Sequence, residues 1–201
     1  MTTDNLIRKI NNGDNKAFLE LYGTDPSELK RNGMRYAGLI NKFEAAFGKK
    51  DADFFTSPGR TEIGGNHTDH NYGRVLAGAV NLDNVCIAGR NGTNVISIQS
   101  EGYPEFKVDL SSLAADKKEL YSSAALVRGI CARFKELGHK IGGFDACIDG
   151  GVPKGSGLSS SASFEVRIGA ILRELFNDGG IDPIENAIIG QYSENNYFGK
   201  P

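Results

Sequence analysis

The 201-residue sequence has no tryptophan, two methionines, three histidines, three cysteines and six prolines. Its first twenty residues, Met1 to Glu20, contain no apolar signal region, which removes the usual mark of a secreted chain. Cys86, Cys131 and Cys147 are odd in number and show no C-x-x-C pairing, so a disulfide framework or zinc ribbon is not expected. They read instead as reduced, buried thiols acting as small core hydrophobes in a cytoplasmic protein. The formal net charge is only −2 and the cations are scattered. Neither the basic footprint of a nucleic-acid protein nor a polybasic membrane patch is visible, so neither partner is expected. With 39% hydrophobic and 24% charged residues, the chain has globular proportions and can bury a sizeable core. There is no internal repeat and no low-complexity tract.

Much of the chemistry gathers in two glycine-rich stretches. In Gly150-Gly151-Val152-Pro153-Lys154-Gly155-Ser156-Gly157-Leu158-Ser159-Ser160-Ser161-Ala162-Ser163, a glycine loop runs through three serines into a helical pattern. Glycines let backbone N–H groups turn inward, and the helix that follows adds unpaired donors and a positive dipole end, an arrangement that holds phosphate. Other glycine loops fail on spacing. A Walker A motif needs Gly-Lys-Ser/Thr where Gly155-Ser156 stands, and a dinucleotide fingerprint needs glycine where Ser160 stands. A hydrolase elbow around Ser159 needs glycine at Ser161. An ordinary capped helix start is the bland alternative.

The second stretch, Ser57-Pro58-Gly59-Arg60-Thr61-Glu62-Ile63-Gly64-Gly65-Asn66-His67-Thr68-Asp69-His70-Asn71-Tyr72-Gly73-Arg74, is polar and glycine-rich, as functional loops are. Read alone, His67-x-x-His70 beside Asp69 could suggest a metal site, but His139 is the one further imidazole and no cysteine is near in sequence.

The spacing predicts a helix over residues 27–47, with Ser27 as cap and Gly48 past its end. Short strands are predicted at 53–56, 74–80, 84–88 and 94–99, forming a meander or hairpin sheet with a turn at Asn91-Gly92. A second helix follows the stripe from Leu120 to Leu137, up to Gly138. Phe144, Ala146 and Ile148 alternate with Asp145, Cys147 and Asp149, predicting a strand with one face on the core that feeds the phosphate loop. The helix after the loop extends to Phe176, and Asp182-Pro183-x-Glu185 opens another with a cap, an N1 proline and a capping-box-like acid. Strands first, then helices mixed with strands, predict an α+β fold. We divide the chain into a helical segment, residues 1–50, and a domain carrying the chemistry, residues 51–201.

The phosphate-loop sequence resembles that of the small-molecule kinases of the galactokinase, homoserine kinase, mevalonate kinase and phosphomevalonate kinase superfamily. The second stretch resembles the galactokinase signature, whose usual form is Pro-Gly-Arg-Val-Asn-Leu-Ile-Gly-Glu-His-Thr-Asp-Tyr-Asn. Both occur in the family's order and spacing. The resemblance implies the N-terminal domain of a two-domain kinase, a ribosomal-protein-like α/β sandwich with the active site between the halves. It also implies an ATP-dependent, Mg²⁺-dependent phosphorylation of the anomeric hydroxyl of galactose. In that reading Gly155, Ser156, Gly157, Leu158, Ser159, Ser160 and Ser161 cradle the nucleotide phosphates. Ser161 and Glu194 hold Mg²⁺, a cation satisfied by a few oxygen ligands. Arg60 sits beside the reacting hydroxyl and the transferred phosphoryl, where a permanently charged, multidentate donor suits the chemistry. Asn66, His67, Thr68 and Asp69 bind the sugar, Asp69 by accepting from neighbouring hydroxyls. The family's catalytic aspartate would follow Pro201, so the chain is expected to be an N-terminal half that is inactive alone and needs the missing C-terminal half.

The sequence departs from the usual signature at Asn66 in place of glutamate, His70 in place of tyrosine, and Thr61-Glu62 in place of Val-Asn. Before Val127-Arg128-Gly129, where relatives often carry a tryptophan near the adenine, stand Ser122 and Ser123. Two alternatives therefore stand beside galactokinase. One is a non-catalytic sugar and nucleotide sensor, which the complete serine run disfavours; the other is a kinase for a galactose analogue such as galacturonate or N-acetylgalactosamine.

Overall fold

The computed structural model describes residues 1–11, 16–65, 73–152 and 156–200. Three N-terminal helices, α1 (Thr3–Asn11), α2 (Lys16–Tyr22) and α3 (Pro26–Phe47), precede a sheet of five strands: β1 (Asp53–Gly64), β2 (Leu76–Arg90), β3 (Val95–Ser100), β4 (Phe106–Asp109) and β5 (Phe144–Gly150). Helix α4 (Ser123–Glu136) lies between β4 and β5, and α5 (Ser160–Asn177) and α6 (Pro183–Ser193) follow. The last helix runs on into a π-helical turn, Glu194–Phe198. The strand order is β1-β2-β5-β3-β4, antiparallel except where β5 lies parallel to β3.

Helices cover both faces of the sheet, and the period-two alternation of β2 shows how. Cys86 and Ala88 point into a core with Ala146 and Ile148 of β5, Ile130 and Phe134 of α4, and Ile168 and Leu172 of α5. Val85 and Ile87, with Cys147, point the other way, onto Tyr36, Leu39, Ile40 and Phe43 of α3. Each fully buried Ile or Phe contributes about 1.5–3 kcal/mol, so both interfaces hold the sheet. This double covering corrects one expectation. Strand β5 is buried on both faces, because α3 packs on the side that carries Cys147.

Other expectations are refined. The segments predicted at 74–80 and 84–88 belong to one strand, β2, which pairs with β1 on both sides of an irregularity, Asp83 opposite Pro58 and Ala79 opposite Arg60. The strand predicted at 53–56 continues through Pro58 to Gly64, with register shifts between Pro58 and Arg60 and between Glu62 and Gly64. A proline has no N–H for the ladder, so a bulge is where a strand tolerates it. The sheet is no simple meander, since β5 inserts between β2 and β3.

The cap of α3 is Asp25, not Ser27. The Asp25 carboxylate accepts from the N–H groups of Ser27 and Glu28, and the Ser27 hydroxyl donates to the same oxygen. Gly48 ends that helix with φ 77°. Helix α4 starts at Ser123, capped by Ser122, while Leu120 and Tyr121 belong to a preceding turn. Asp182 caps α6 with Pro183 in its first turn, as expected. Glu185 does not act as the expected capping-box acid but meets His139 Nε2 at 3.0 Å.

All three cysteines are free and buried. Burial pushes the thiols of Cys86 and Cys131 up to about 12 and that of Cys147 to about 11, which leaves them inert. Among the described residues, no helix is long and apolar enough to cross a membrane.

Candidate nucleotide and sugar site

The two glycine-rich stretches, 98 residues apart at Arg60 and Leu158 by sequence, meet in space. The Arg60 N–H donates to the Leu158 carbonyl at 3.0 Å. Gly59 lies against the same loop, where a Cβ would stand 3.1 Å from Leu158 O and 3.2 Å from Val152 Cγ1. A side chain there would have to push the loop back by a few tenths of an ångström. Arg60 is on β1 rather than in a loop, which fixes its backbone by strand pairing, and its guanidinium lies 3.9 Å from the Glu62 carboxylate.

Beneath this junction runs a buried polar web. The Val152 N–H donates to Asn84 Oδ1 at 3.1 Å, and Asn84 Nδ2 donates to Ser163 Oγ at 2.9 Å. The Ser163 hydroxyl stands 2.8 Å from that of Ser57, and Arg167 Nη1 donates to the Asn84 carbonyl at 3.2 Å. The start of the loop, the second turn of α5 and strand β1 are thus tied through groups that lose their partners together if one is removed. On the other sheet face, Arg35 of α3 bridges Asp83 of β2 (Nη1 to Oδ1, 2.5 Å) and Asp149 of β5 (Nε to Oδ2, 2.9 Å), clamping the strand that feeds the loop.

Ser159 precedes α5 in the left-handed conformation (φ 57°), and its own side chain makes no cap hydrogen bond. A helix start offers first-turn N–H donors and a positive dipole end, the features on which phosphate sites are built. Ser161, in that first turn, donates from Oγ to Glu194 Oε1 at 3.3 Å, and Lys200 Nζ lies 3.3 Å from the same oxygen. The structure therefore unites the two residues expected at Mg²⁺. Glu194 is placed by the π-helical turn, whose neighbours Ser193 and Tyr197 pack on Gly129 of α4; a Cβ there would come within 2.8 Å of the Tyr197 ring. The Ser193 hydroxyl donates to the Leu126 carbonyl at 2.7 Å, and the Tyr197 hydroxyl to that of Leu113 at 2.9 Å.

Glu165 was missed by the sequence reading. It lies one turn beyond Ser161 on α5, is 3% exposed, and its Oε1 has no hydrogen-bond partner among the described residues. Burial first, and the neighbouring Glu194 carboxylate second, push its carboxyl up to about 8, against a smaller opposing pull from Lys200. Its spacing of three from Ile168 and seven from Leu172 was the available signal, since it puts the acid on the apolar face of α5.

Of the remaining expected site residues, Ser156, Gly157 and Leu158 form the loop before α5, with Gly157 at φ 77°, and Ser160 opens the helix. Gly155, Asn66, His67, Thr68 and Asp69, together with His70, lie outside the described residues. Two cavities of about 520 and 580 Å³ line the α3 side of the molecule, and neither includes a residue of the phosphate loop.

The galactokinase galactose-binding signature matches residues 41–90, and the N-terminal domain of GHMP kinases matches residues 124–201. Galactokinase from Clostridium tetani is 32% identical over 170 residues, 84% of this chain and 43% of the relative. That of Lactococcus lactis subsp. lactis is 35% identical over 178 residues, 86% of this chain and 44% of the relative. The crystal structure of Lactococcus lactis galactokinase complexed with galactose superposes with a TM-score of 0.74 at 32% identity, covering 80% of this chain and 42% of that one. Mevalonate kinase of Methanococcus jannaschii, at 16% identity and a TM-score of 0.58, shares the fold. The chain spans about 43% of the length of the curated relatives it matches.

The sheet, its covering helices and the loop before α5 define the N-terminal fold of the small-molecule kinase superfamily of galactokinase, homoserine kinase, mevalonate kinase and phosphomevalonate kinase. Within it, the chain is similar to the N-terminal portion of galactokinases.

Proposed function

We propose that this chain supplies the sugar-binding and nucleotide-binding wall of an ATP-dependent galactokinase, which forms galactose 1-phosphate. The observation that carries the reading is the junction of Arg60 with the phosphate loop, beside a Ser161–Glu194 pair of oxygens 3.3 Å apart. A hydroxyl and a carboxylate at that spacing suit Mg²⁺, which takes oxygen ligands and keeps several waters. Bound with ATP, the metal would neutralise phosphate charge. The loop from Gly155 to Ser161 would orient the phosphates with backbone donors, and Arg60 would hold the transferred group near the acceptor hydroxyl. Asn66, His67, Thr68 and Asp69 would fix galactose. Residues 51–201 would carry these contacts, with residues 1–50 as helical backing, and sequence matching the rest of the relatives' length would complete the cleft and provide the base. The inert buried thiols support a reduced, cytoplasmic setting.

Calorimetry on two variants tests the assignment. Ser161→Ala should weaken Mg-ATP binding by about ten- to a hundredfold and spare galactose, because a charge-assisted contact is worth about 1.5–3 kcal/mol. Asp69→Ala should do the reverse. Equal effects on both ligands in either folded variant refute the division of roles.

A further inference from the structure

Arg167, on α5, is 2% exposed. Burial pulls its guanidinium pKa down from a very high ordinary value, yet a group of that basicity keeps its proton at pH 7, so the interior holds a cation there. Its partners are few. Nη1 donates to the Asn84 carbonyl at 3.2 Å and to Ser57 Oγ at 3.4 Å, and the guanidinium carbon lies 5.6 Å from the Phe164 ring centroid. Among the described residues, Nε has no hydrogen-bond partner and no carboxylate pairs with the group. Asp83, on the opposite face of the sheet, is taken by Arg35. A buried cation without a counter-ion is destabilising, and its placement therefore calls for an anion from elsewhere.

The surroundings of the guanidinium point to where that anion binds. Helical side chains lean toward the N-terminus of their helix, and Arg167 reaches back to the level of Ser163, since the Ser57 hydroxyl it meets also lies 2.8 Å from that of Ser163. Its other partner, Asn84, accepts from the Val152 N–H at the start of the phosphate loop. The cation thus lies directly beneath the web that joins β1, the loop and the first turns of α5. At 1.5 Å per residue, the Cα atoms of Ser161 and Arg167 are about 9 Å apart along the helix, and the side chain leans back over that span. Its field adds to that of the positive end of the helix dipole, and in the interior neither water nor salt screens it strongly.

We propose that Arg167 is a buried positioning residue for the polyphosphate: it touches no phosphate, but its cation raises the positive potential at the loop and gains its missing counter-charge when a polyanion binds. The inference rests on the phosphate-loop reading above and adds a residue that lies behind the contact surface. By linkage, the stability that the unpaired cation withholds from the empty protein returns as affinity for the anion. At an effective dielectric constant of about 20, a unit charge about 10 Å away changes affinity by about tenfold.

Three substitutions at this one position separate charge from shape. Arg167→Lys keeps the cation, Arg167→Gln keeps donors without charge, and Arg167→Met keeps bulk alone. In calorimetric titrations with tripolyphosphate, the lysine variant should bind within about twofold of the parent, and the glutamine and methionine variants about tenfold more weakly. That tenfold ratio should persist from about 0.05 to 0.5 M salt, because the charge is buried. Without ligand, Arg167→Met should melt no lower than the parent, since an uncompensated charge has gone. A purely structural arginine would lose stability and affinity together. A glutamine or methionine variant that binds tripolyphosphate as tightly as the parent refutes the proposal and leaves the phosphate site standing. So does a lysine variant as weak as the glutamine one, which would make the guanidinium's shape decisive, or a methionine variant that melts well below the parent or does not fold. If the parent binds no tripolyphosphate, the phosphate-loop reading itself falls, and this inference with it.

Discussion

Replacing Glu165 by glutamine tests the electrostatics beneath the phosphate loop. Its carboxyl ordinarily titrates at 4.5 and is pushed to about 8 in the fold, chiefly by burial and then by Glu194. Between those two values the folded protein holds a proton that the unfolded chain has released. Stability therefore falls as pH rises through that window, and Glu165 adds no further pH dependence above or below it. At about 1.4 kcal/mol per pKa unit the displacement sets an upper limit of about 5 kcal/mol, and local relaxation with water entry brings the expected loss nearer 2 kcal/mol. For a chain of this size 2 kcal/mol corresponds to about 4–8 °C in Tm.

Glu165→Gln removes the titration and keeps the shape. Its amide buries a donor of its own, a cost that is the same at every pH, so the informative quantity is the slope and not the absolute Tm. Circular dichroism melts of parent and variant in EDTA, from pH 5 to 8.5, should show the variant gaining about 4–8 °C on the parent as pH rises. A Tm difference that stays constant across that range would mean that Glu165 ionises normally, and that the carboxylate is not buried against Glu194 as described.

Two further substitutions address how the site is held. Gly59→Ala puts a Cβ 3.1 Å from the Leu158 carbonyl, so it should cost about 1–3 kcal/mol in urea unfolding and weaken tripolyphosphate binding, because strand and loop must separate; unchanged values for both would show that the two are not in contact. Arg35→Ala leaves Asp83 and Asp149 facing each other without their shared cation, and a loss of about 2–4 kcal/mol at pH 7 is expected. That loss should shrink as the carboxylates protonate toward pH 3, and a pH-independent loss would point to packing alone.

Local rules recovered the parts of the fold that depend on neighbours in sequence. The 3.6-residue stripes gave α3, α4 and α5, and Asp182-Pro183 gave the start of α6, because caps and amphipathic faces are written within one or two turns. Sheet order and the second covered face were not legible. Cys147 looks like the polar side of an alternating strand until α3, a hundred residues earlier, is packed on it. The path of β1 through Pro58 was hidden for a related reason, since a bulge is set by the partner strand and not by the proline itself.

The site divides along the same line. Ser161 and Glu194 follow from the motif alone, and in the structure their side chains meet at 3.3 Å, with the turn that carries Glu194 packed through Ser193 and Tyr197 on Gly129. Glu165 and Tyr121 match no motif, and each breaks a local rule. One is an acid on an apolar helix face, the other, Tyr121, an aromatic at φ 63° in the turn before α4, a conformation that favours glycine. A sequence read for agreement between pattern and propensity passes over such residues, because the conflict becomes visible only when burial and φ are known. The position of Glu165 is then informative: it lies one turn beyond Ser161 on α5, near the Glu194 carboxylate. The cost of this local inconsistency thus falls next to the groups that would meet a ligand, where ligand contacts can offset it.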